Sequence, residues 1–127
     1  MNVVDSCGWL EYFAGGPNAD FFAPLLEAKD GTLLMPTLCL YEVFKNILVQ
    51  FGREEAVEKV AVMRQETVIP LDDSLALDAA LLSHELRIPM ADSIILATAR
   101  CYNAVLWTQD IHFQHITGVR YCPKVSS

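Results

Sequence analysis

Two carboxylates stand just beyond apolar runs of the chain that are predicted to form short strands. Asp5 directly follows the run at 2–4, and Asp110 follows the run at 104–107 with two residues between them. Open parallel sheets bind ligands beyond the carboxyl ends of their strands, so polar side chains at these positions are candidates for a functional site. A carboxylate at a strand exit can also form a turn. Two of them on strands predicted to be neighbours favour a site.

Two further acids belong to predicted helices that connect the strands. Glu42 lies in the opening turns of one helix, and Asp92 begins another after a break at Pro89. The first turns of crossover helices face the same sheet edge as the strand exits, so we expect all four carboxylates to converge. Each also has a structural alternative: Asp92 as a helix cap or first-turn carboxylate, and Glu42 as part of a solvated face with Lys45 and Asn46.

The four acids together indicate a metal centre. Carboxylates that share a small pocket cannot all be charged without a counter-charge, and a divalent cation is the natural compensation. Ligands that are all oxygen favour Mg²⁺ or Mn²⁺ over zinc. Such a site polarises a phosphodiester, activates water and neutralises the leaving oxygen, which is the chemistry of nucleic-acid hydrolysis. The candidate metal ligands and catalytic residues are Asp5, Glu42, Asp92 and Asp110.

A histidine pair follows the last of these acids. His112 and His115 have the spacing H-x-x-H soon after Asp110, which invites a metal interpretation. No partner ligands accompany the pair in the sequence. We therefore predict that both histidines lie in a loop and outside the metal centre.

Strand and helix signals alternate along the chain. Helix caps are predicted at Asn18, at Thr37 and at Asp72 or Asp73. Short strands separated by helices favour right-handed βαβ crossovers. We predict an α/β fold, a three-layer α/β/α sandwich around a parallel sheet of four or five short strands, in one domain over residues 1–127. The predicted strands are 2–4, 32–35, 67–71, 104–107 and 118–122.

The charge balance limits how the chain could contact nucleic acid. It has 9 Lys and Arg against 16 Asp and Glu, a net charge of −7. This surface repels phosphate backbones, which argues against a nucleic-acid binder that works through basic patches. Nucleic-acid chemistry would need bound cations or local basic side chains, for which Lys45, Arg100 and Arg120 are candidates.

The remaining composition indicates a folded chain in the cytoplasm. An apolar content of 53% excludes intrinsic disorder. No apolar run approaches the ~18 residues of a membrane span, and Asp5 and Glu11 interrupt the region where a signal peptide would be apolar. The four cysteines lie far apart without a C-x-x-C motif, so they predict free thiols rather than a zinc or redox site.

Four segments carry a resemblance to a known family. They are VVDSCGWLEYF at the N-terminus, PTLCLYEV around Glu42, RIPMADSIILATAR around Asp92 and AVLWTQDIHF around Asp110. In their order, spacing and total length they resemble the four blocks of a PIN domain, over essentially the whole chain. The resemblance extends to the VapC-type toxins of bacterial and archaeal toxin–antitoxin pairs.

This resemblance implies an endoribonuclease that depends on Mg²⁺ or Mn²⁺. Ser6 and Thr108 match supporting polar positions. The family further implies a homodimer and a cognate antitoxin whose tail covers the acidic site, and a cationic tail would complement the acidic chain. Two alternatives stay open: a catalytically silent PIN-like binding module, and a receiver-type signalling domain. The family's acidic metal-binding positions are matched by Asp5, Glu42, Asp92 and Asp110.

Overall fold

Five short strands alternate with six helices in a computed structural model that describes residues 1–126. The predicted four or five strands are therefore five. In chain order the elements are β1 (Asn2–Val4), α1 (Ser6–Ala14), α2 (Ala19–Glu27), β2 (Leu33–Pro36), α3 (Thr37–Phe51), α4 (Arg53–Met63), β3 (Thr67–Ile69), α5 (Asp73–Leu86), α6 (Met90–Cys101), β4 (Val105–Thr108), a 3₁₀ helix (Ile111–Phe113) and β5 (Val119–Tyr121).

All five strands form one parallel sheet in the order β3-β2-β1-β4-β5. The chain leaves the central strand β1 towards β2 and β3, and then crosses back to β4 and β5. The strand order thus reverses between β1 and β4, and such switch points are where open α/β sheets bind ligands. Receiver-type domains have the order 2-1-3-4-5 instead, so the receiver alternative is wrong.

The central strand is buried on both of its faces. Val3 and Val4 are both fully buried, and successive residues of a strand point to opposite faces of the sheet. Helices must therefore cover both faces, because a sheet face left in water would expose one of the two side chains. The predicted three-layer α/β/α sandwich is confirmed.

Strand β4 differs from its prediction. Its run is shifted by one residue to Val105–Thr108, and it lies between the central strand β1 and the edge strand β5. Leu106 and Thr108 are buried, but Trp107 is only half-buried on the other face. One face of β4 is therefore only partly covered, because only the edge strand β5 separates β4 from the end of the sheet.

The predicted helix caps have mixed outcomes. Asp72 caps α5 by accepting from the backbone N–H of Leu75. Thr37 does not cap α3, because the extended Pro36 takes the cap position and Thr37 is already helical. Asn18 stands at the start of α2 without a side-chain cap bond, since its amide donates to Gln109 Oε1 instead.

Two findings bear on the membrane-span and cysteine predictions. Among the described residues, no helix combines the length and apolarity that a bilayer crossing needs. The four cysteines are free thiols, of which Cys39 is buried and Cys101 is exposed.

Candidate metal centre

A cavity of about 540 Å³ opens at the carboxyl ends of β1 and β4, beside the starts of α1, α3 and α6. These are the elements that the sequence predicts to meet at this edge of the sheet. The cavity brings together all four predicted acids, and its lining includes Asp5, Glu42, Asp92 and Asp110.

Asp5 occupies the exit of the central strand and is almost completely buried, with 4% of its surface exposed. Its backbone N–H donates to the carbonyl of Trp107 at 3.0 Å, which joins the ends of β1 and β4. Its Oδ1 accepts from the Ser6 N–H at 2.7 Å, so Asp5 also caps α1. Its Oδ2 accepts from the Thr108 hydroxyl at 2.8 Å. The Cys7 thiol also donates to Oδ2, at 3.4 Å. Three hydrogen bonds therefore fix the orientation of this carboxylate.

The two residues predicted to have supporting roles both contact acids. Ser6 Oγ donates to Glu42 Oε1 at 2.7 Å, across the gap between α1 and α3. Thr108 donates to Asp5, and its Oγ1 accepts from the Asp110 N–H at 2.9 Å. Thr108 is fully buried, so it joins the exits of the two neighbouring strands from inside the fold.

Asp92 and Asp110 approach each other from separate elements. Asp92 lies in the first turn of α6, which begins at Met90 with Pro89 at its cap. Asp110 caps the 3₁₀ helix by accepting from the backbone N–H of His112 at 2.9 Å. Asp92 is thus a first-turn carboxylate rather than a helix cap, and it faces the cavity while remaining largely buried.

His112 lies against this cluster, in the 3₁₀ helix rather than in the predicted loop. Its Nδ1 lies 2.8 Å from Asp92 Oδ2 and 3.1 Å from Asp110 Oδ1. The partner Asp92 is 20 positions earlier in the chain, so the H-x-x-H spacing carried no sign of the contact. The order D-x-H is a better signal of this contact. A residue two places after a capping Asp donates its backbone N–H to the carboxylate of that Asp, which keeps its side chain nearby.

The buried acids are electrostatically strained. Burial, with a smaller contribution from the charge of Asp92, raises the pKa of Asp5 to about 6 against the hydrogen bond from Thr108. Burial and then the charge of Asp110 raise the pKa of Asp92. The hydrogen bond to Asp92 and the charge of Asp110 raise the pKa of His112. Each shift reports negative charge that lacks full compensation.

The donor set fits a divalent cation. Within residues 1–126, neither Lys nor Arg forms an ion pair with any of the four acids. Ligand atoms of Asp92, Asp110 and His112 all lie within 4.8 Å of one another. Carboxylate oxygens are suitable ligands for Mg²⁺ or Mn²⁺.

Of the three basic candidates, one reaches the cavity. Lys45 is part of its lining, on the same face of α3 as Glu42. Arg100 donates to the carbonyl of Thr117 at 3.4 Å, and the guanidinium of Arg120 lies 5.5 Å from the Trp107 ring centroid. Neither arginine lines the cavity.

Several solved structures share this fold. The chain superposes with a TM-score of 0.77 and 21% identity on a toxin–antitoxin complex from Klebsiella pneumoniae, covering 94% of this chain and 96% of that one. VapBC2 from Rickettsia felis, bound to a promoter DNA fragment, gives a TM-score of 0.74 and 19% identity over 96% and 97% of the two chains. The VapC20 toxin of Mycobacterium tuberculosis, which cleaves the sarcin–ricin loop, gives a TM-score of 0.66 and 19% identity, covering 82% of this chain and 85% of that one.

A search of the curated proteins found no match. The family comparison is decisive, because the model of the PIN domain matches residues 3–119 and thus nearly the whole chain. The match includes the strand exits, the first turns and all four acids of the cavity. The chain belongs to the PIN-domain family.

Proposed function

We propose that this chain is an endoribonuclease that hydrolyses RNA phosphodiester bonds with Mg²⁺ or Mn²⁺ as cofactor. One observation carries the proposal: four carboxylates line a single cavity at the switch point of the sheet, and no lysine or arginine pairs with them among the described residues. The proposed catalytic residues and metal ligands are Asp5, Glu42, Asp92 and Asp110.

The chain's own residues prepare this site in advance. Asp5 is oriented by its bonds from Ser6 and Thr108, and Glu42 is oriented by Ser6. Preorganised ligands bind a cation without losing side-chain freedom at that moment. A bound divalent ion would polarise the phosphodiester and stabilise the charge that develops on its oxygens. The net reaction adds one water across a P–O bond, leaving one phosphate end and one hydroxyl end.

We further propose that the chain is the VapC-type toxin of a toxin–antitoxin pair, acting on cytoplasmic RNA. Its structural neighbours include a toxin–antitoxin complex and VapBC2. A basic antitoxin segment would compensate the acidic cavity of a chain with net charge −7. Exposed apolar side chains on α3 and α5, such as Val49, Phe51 and Leu81, offer surface for the antitoxin and for a homodimer.

A catalytically silent binding module is the weaker alternative. Such a module needs no acidic cluster. The burial that raises the pKa values of Asp5 and Asp92 would then have no functional reason. Burying carboxylates without compensation costs stability, so a purely structural site would be expected to lose one of them.

The purified chain is expected to cleave RNA only when a divalent ion is present. The assay uses end-labelled transfer, ribosomal and messenger RNA with Mn²⁺, with Mg²⁺ and with excess EDTA, and reads the fragments on a gel. Adding the protein encoded beside this chain should suppress cleavage. Equal cleavage in EDTA would contradict the metal dependence, and intact RNA in every lane would favour the silent module.

Lys45→Gln is expected to weaken RNA binding while leaving Mn²⁺ binding unchanged. Lys45 is the one basic side chain among the residues lining the cavity, so it is placed to contact a phosphate. Its loss should raise KM several-fold and reduce the slope of log affinity against log salt by about 1.

Lys29→Gln is the matched control for this prediction. Lys29 precedes β2 and so lies near the amino ends of the strands, away from the cavity, where its half-exposed side chain pairs with the nearly buried Glu66 carboxylate. It carries the same change of charge. Equal salt slopes in both variants would show that Lys45 contributes only to the general field of the protein.

A further inference from the structure

We infer that His112 is a nitrogen ligand of the metal centre, acting with Asp92 and Asp110, and that it makes the centre prefer Mn²⁺ over Mg²⁺. The inference rests on the proposed function, because it concerns the same cavity. It adds a residue type that the four-carboxylate site does not contain, and it predicts a specific metal preference.

His112 is held beside two carboxylates instead of projecting freely into water. Its side chain is 51% exposed, which would normally leave an imidazole free to rotate in water. Its Nδ1 nevertheless lies 2.8 Å from Asp92 Oδ2 and 3.1 Å from Asp110 Oδ1. Neighbouring ligand atoms of an octahedral ion with bonds of about 2.1 Å are about 3.0 Å apart. Both distances agree with this spacing.

The backbone holds His112 in this position. Its N–H donates to Asp110 Oδ1 at 2.9 Å, which ties it to the carboxylate that it also approaches with its ring. The next residue, Phe113, is fully buried in the core. A 3₁₀ helix anchored at both of these points directs the imidazole towards the carboxylates of Asp92 and Asp110.

A nitrogen donor changes which ion the site prefers. Mg²⁺ binds oxygen almost exclusively and keeps much of its water, whereas imidazole suits metals later in the first transition series. Mn²⁺ accepts oxygen and nitrogen ligands together, and the cluster of Asp92, Asp110 and His112 offers both. The expected preference is therefore for Mn²⁺.

The opposing account treats His112 as a counter-ion that fills the place of the metal. A cation between two carboxylates also satisfies the observed distances. The two accounts predict opposite signs, because removing a ligand weakens metal binding whereas removing a competing cation strengthens it.

Calorimetry and electron spin-echo spectroscopy on the full chain distinguish these accounts. His112→Ala should weaken Mn²⁺ binding roughly 10–100-fold and change Mg²⁺ binding by less than about threefold, since Mg²⁺ gains little from nitrogen. The Mn²⁺ spectrum of the wild type should show coupling to one ¹⁴N nucleus, which the variant loses. His115→Ala, an exposed neighbour in the same loop, should match the wild type in both measurements.

The inference is overturned if the wild type binds Mn²⁺ without ¹⁴N coupling, or if His112→Ala binds it more tightly. In either case the proposed nuclease stands, provided that Asp92→Asn abolishes Mn²⁺ binding. If the wild type binds neither ion, the metal centre itself fails and the proposed function fails with it.

Discussion

Asp92→Asn is expected to reduce RNA cleavage by roughly 10²–10³-fold, the range for losing one group that stabilises developing charge. Asp92 is the acid that contacts the cluster from α6, with its Oδ2 within reach of His112. An amide keeps the size of the side chain but not its negative charge. Single-turnover cleavage at saturating RNA isolates this loss from any effect on substrate binding.

Asp78→Asn is the control for this variant. It makes the same chemical change on α5, at an exposed residue outside the cavity. Circular dichroism and thermal melting should show that both variants remain folded. Cleavage by Asp92→Asn within a few-fold of wild type would mean that this carboxylate is structural.

Asp5→Asn is expected to stabilise the metal-free protein by about 3 kcal/mol above pH 7, while losing Mn²⁺ binding. Burial raises the pKa of Asp5 from 3.8 to about 6, and one pKa unit corresponds to about 1.4 kcal/mol. Asparagine keeps the geometry, because its oxygen can accept from Ser6 and its amide can donate to Thr108. The melting temperature in EDTA should rise by about 10 °C.

The pH dependence has a definite sign. A carboxyl group with a raised folded-state pKa opposes folding fully above that pKa, where it must be ionised inside the fold. The cost declines as the pH falls below about 6 and is gone below the unfolded value of 3.8. The advantage of Asp5→Asn should therefore disappear near pH 4. If Asp5→Asn were no more stable than the wild type at pH 8, burial of the ionised Asp5 carboxylate would not destabilise the fold, and the prediction would be wrong.

Much of the fold could be predicted because its signals are local. Short apolar runs between helical segments define β1 to β5 in sequence, and β1 is found at its predicted position. Element ends were less accurate, since Thr37 and Asn18 are good capping residues whose use depends on tertiary contacts. The extended Pro36 occupies the cap position of α3 in place of Thr37, and Asn18 forms a side-chain hydrogen bond with Gln109 instead of capping α2.

The residues of the candidate site were not equally predictable from the sequence. Asp5 and Asp110 follow from strand exits alone, because the fold class fixes where those exits point. Glu42 and Asp92 have ordinary helical interpretations, and the family resemblance was needed to prefer a site. His112 could not be found from spacing, because its contact with Asp92 exists only after α6 and the 3₁₀ helix come together.

The central claim is that these carboxylates bind a divalent ion, and calorimetric titration with Mn²⁺ tests it without knowledge of the RNA target. The wild type, Asp5→Asn and Asp92→Asn are titrated at about pH 7.5, above the raised pKa of about 6 of Asp5. The account predicts that the wild type binds and that binding collapses in both variants. Binding by both variants at wild-type affinity would contradict it.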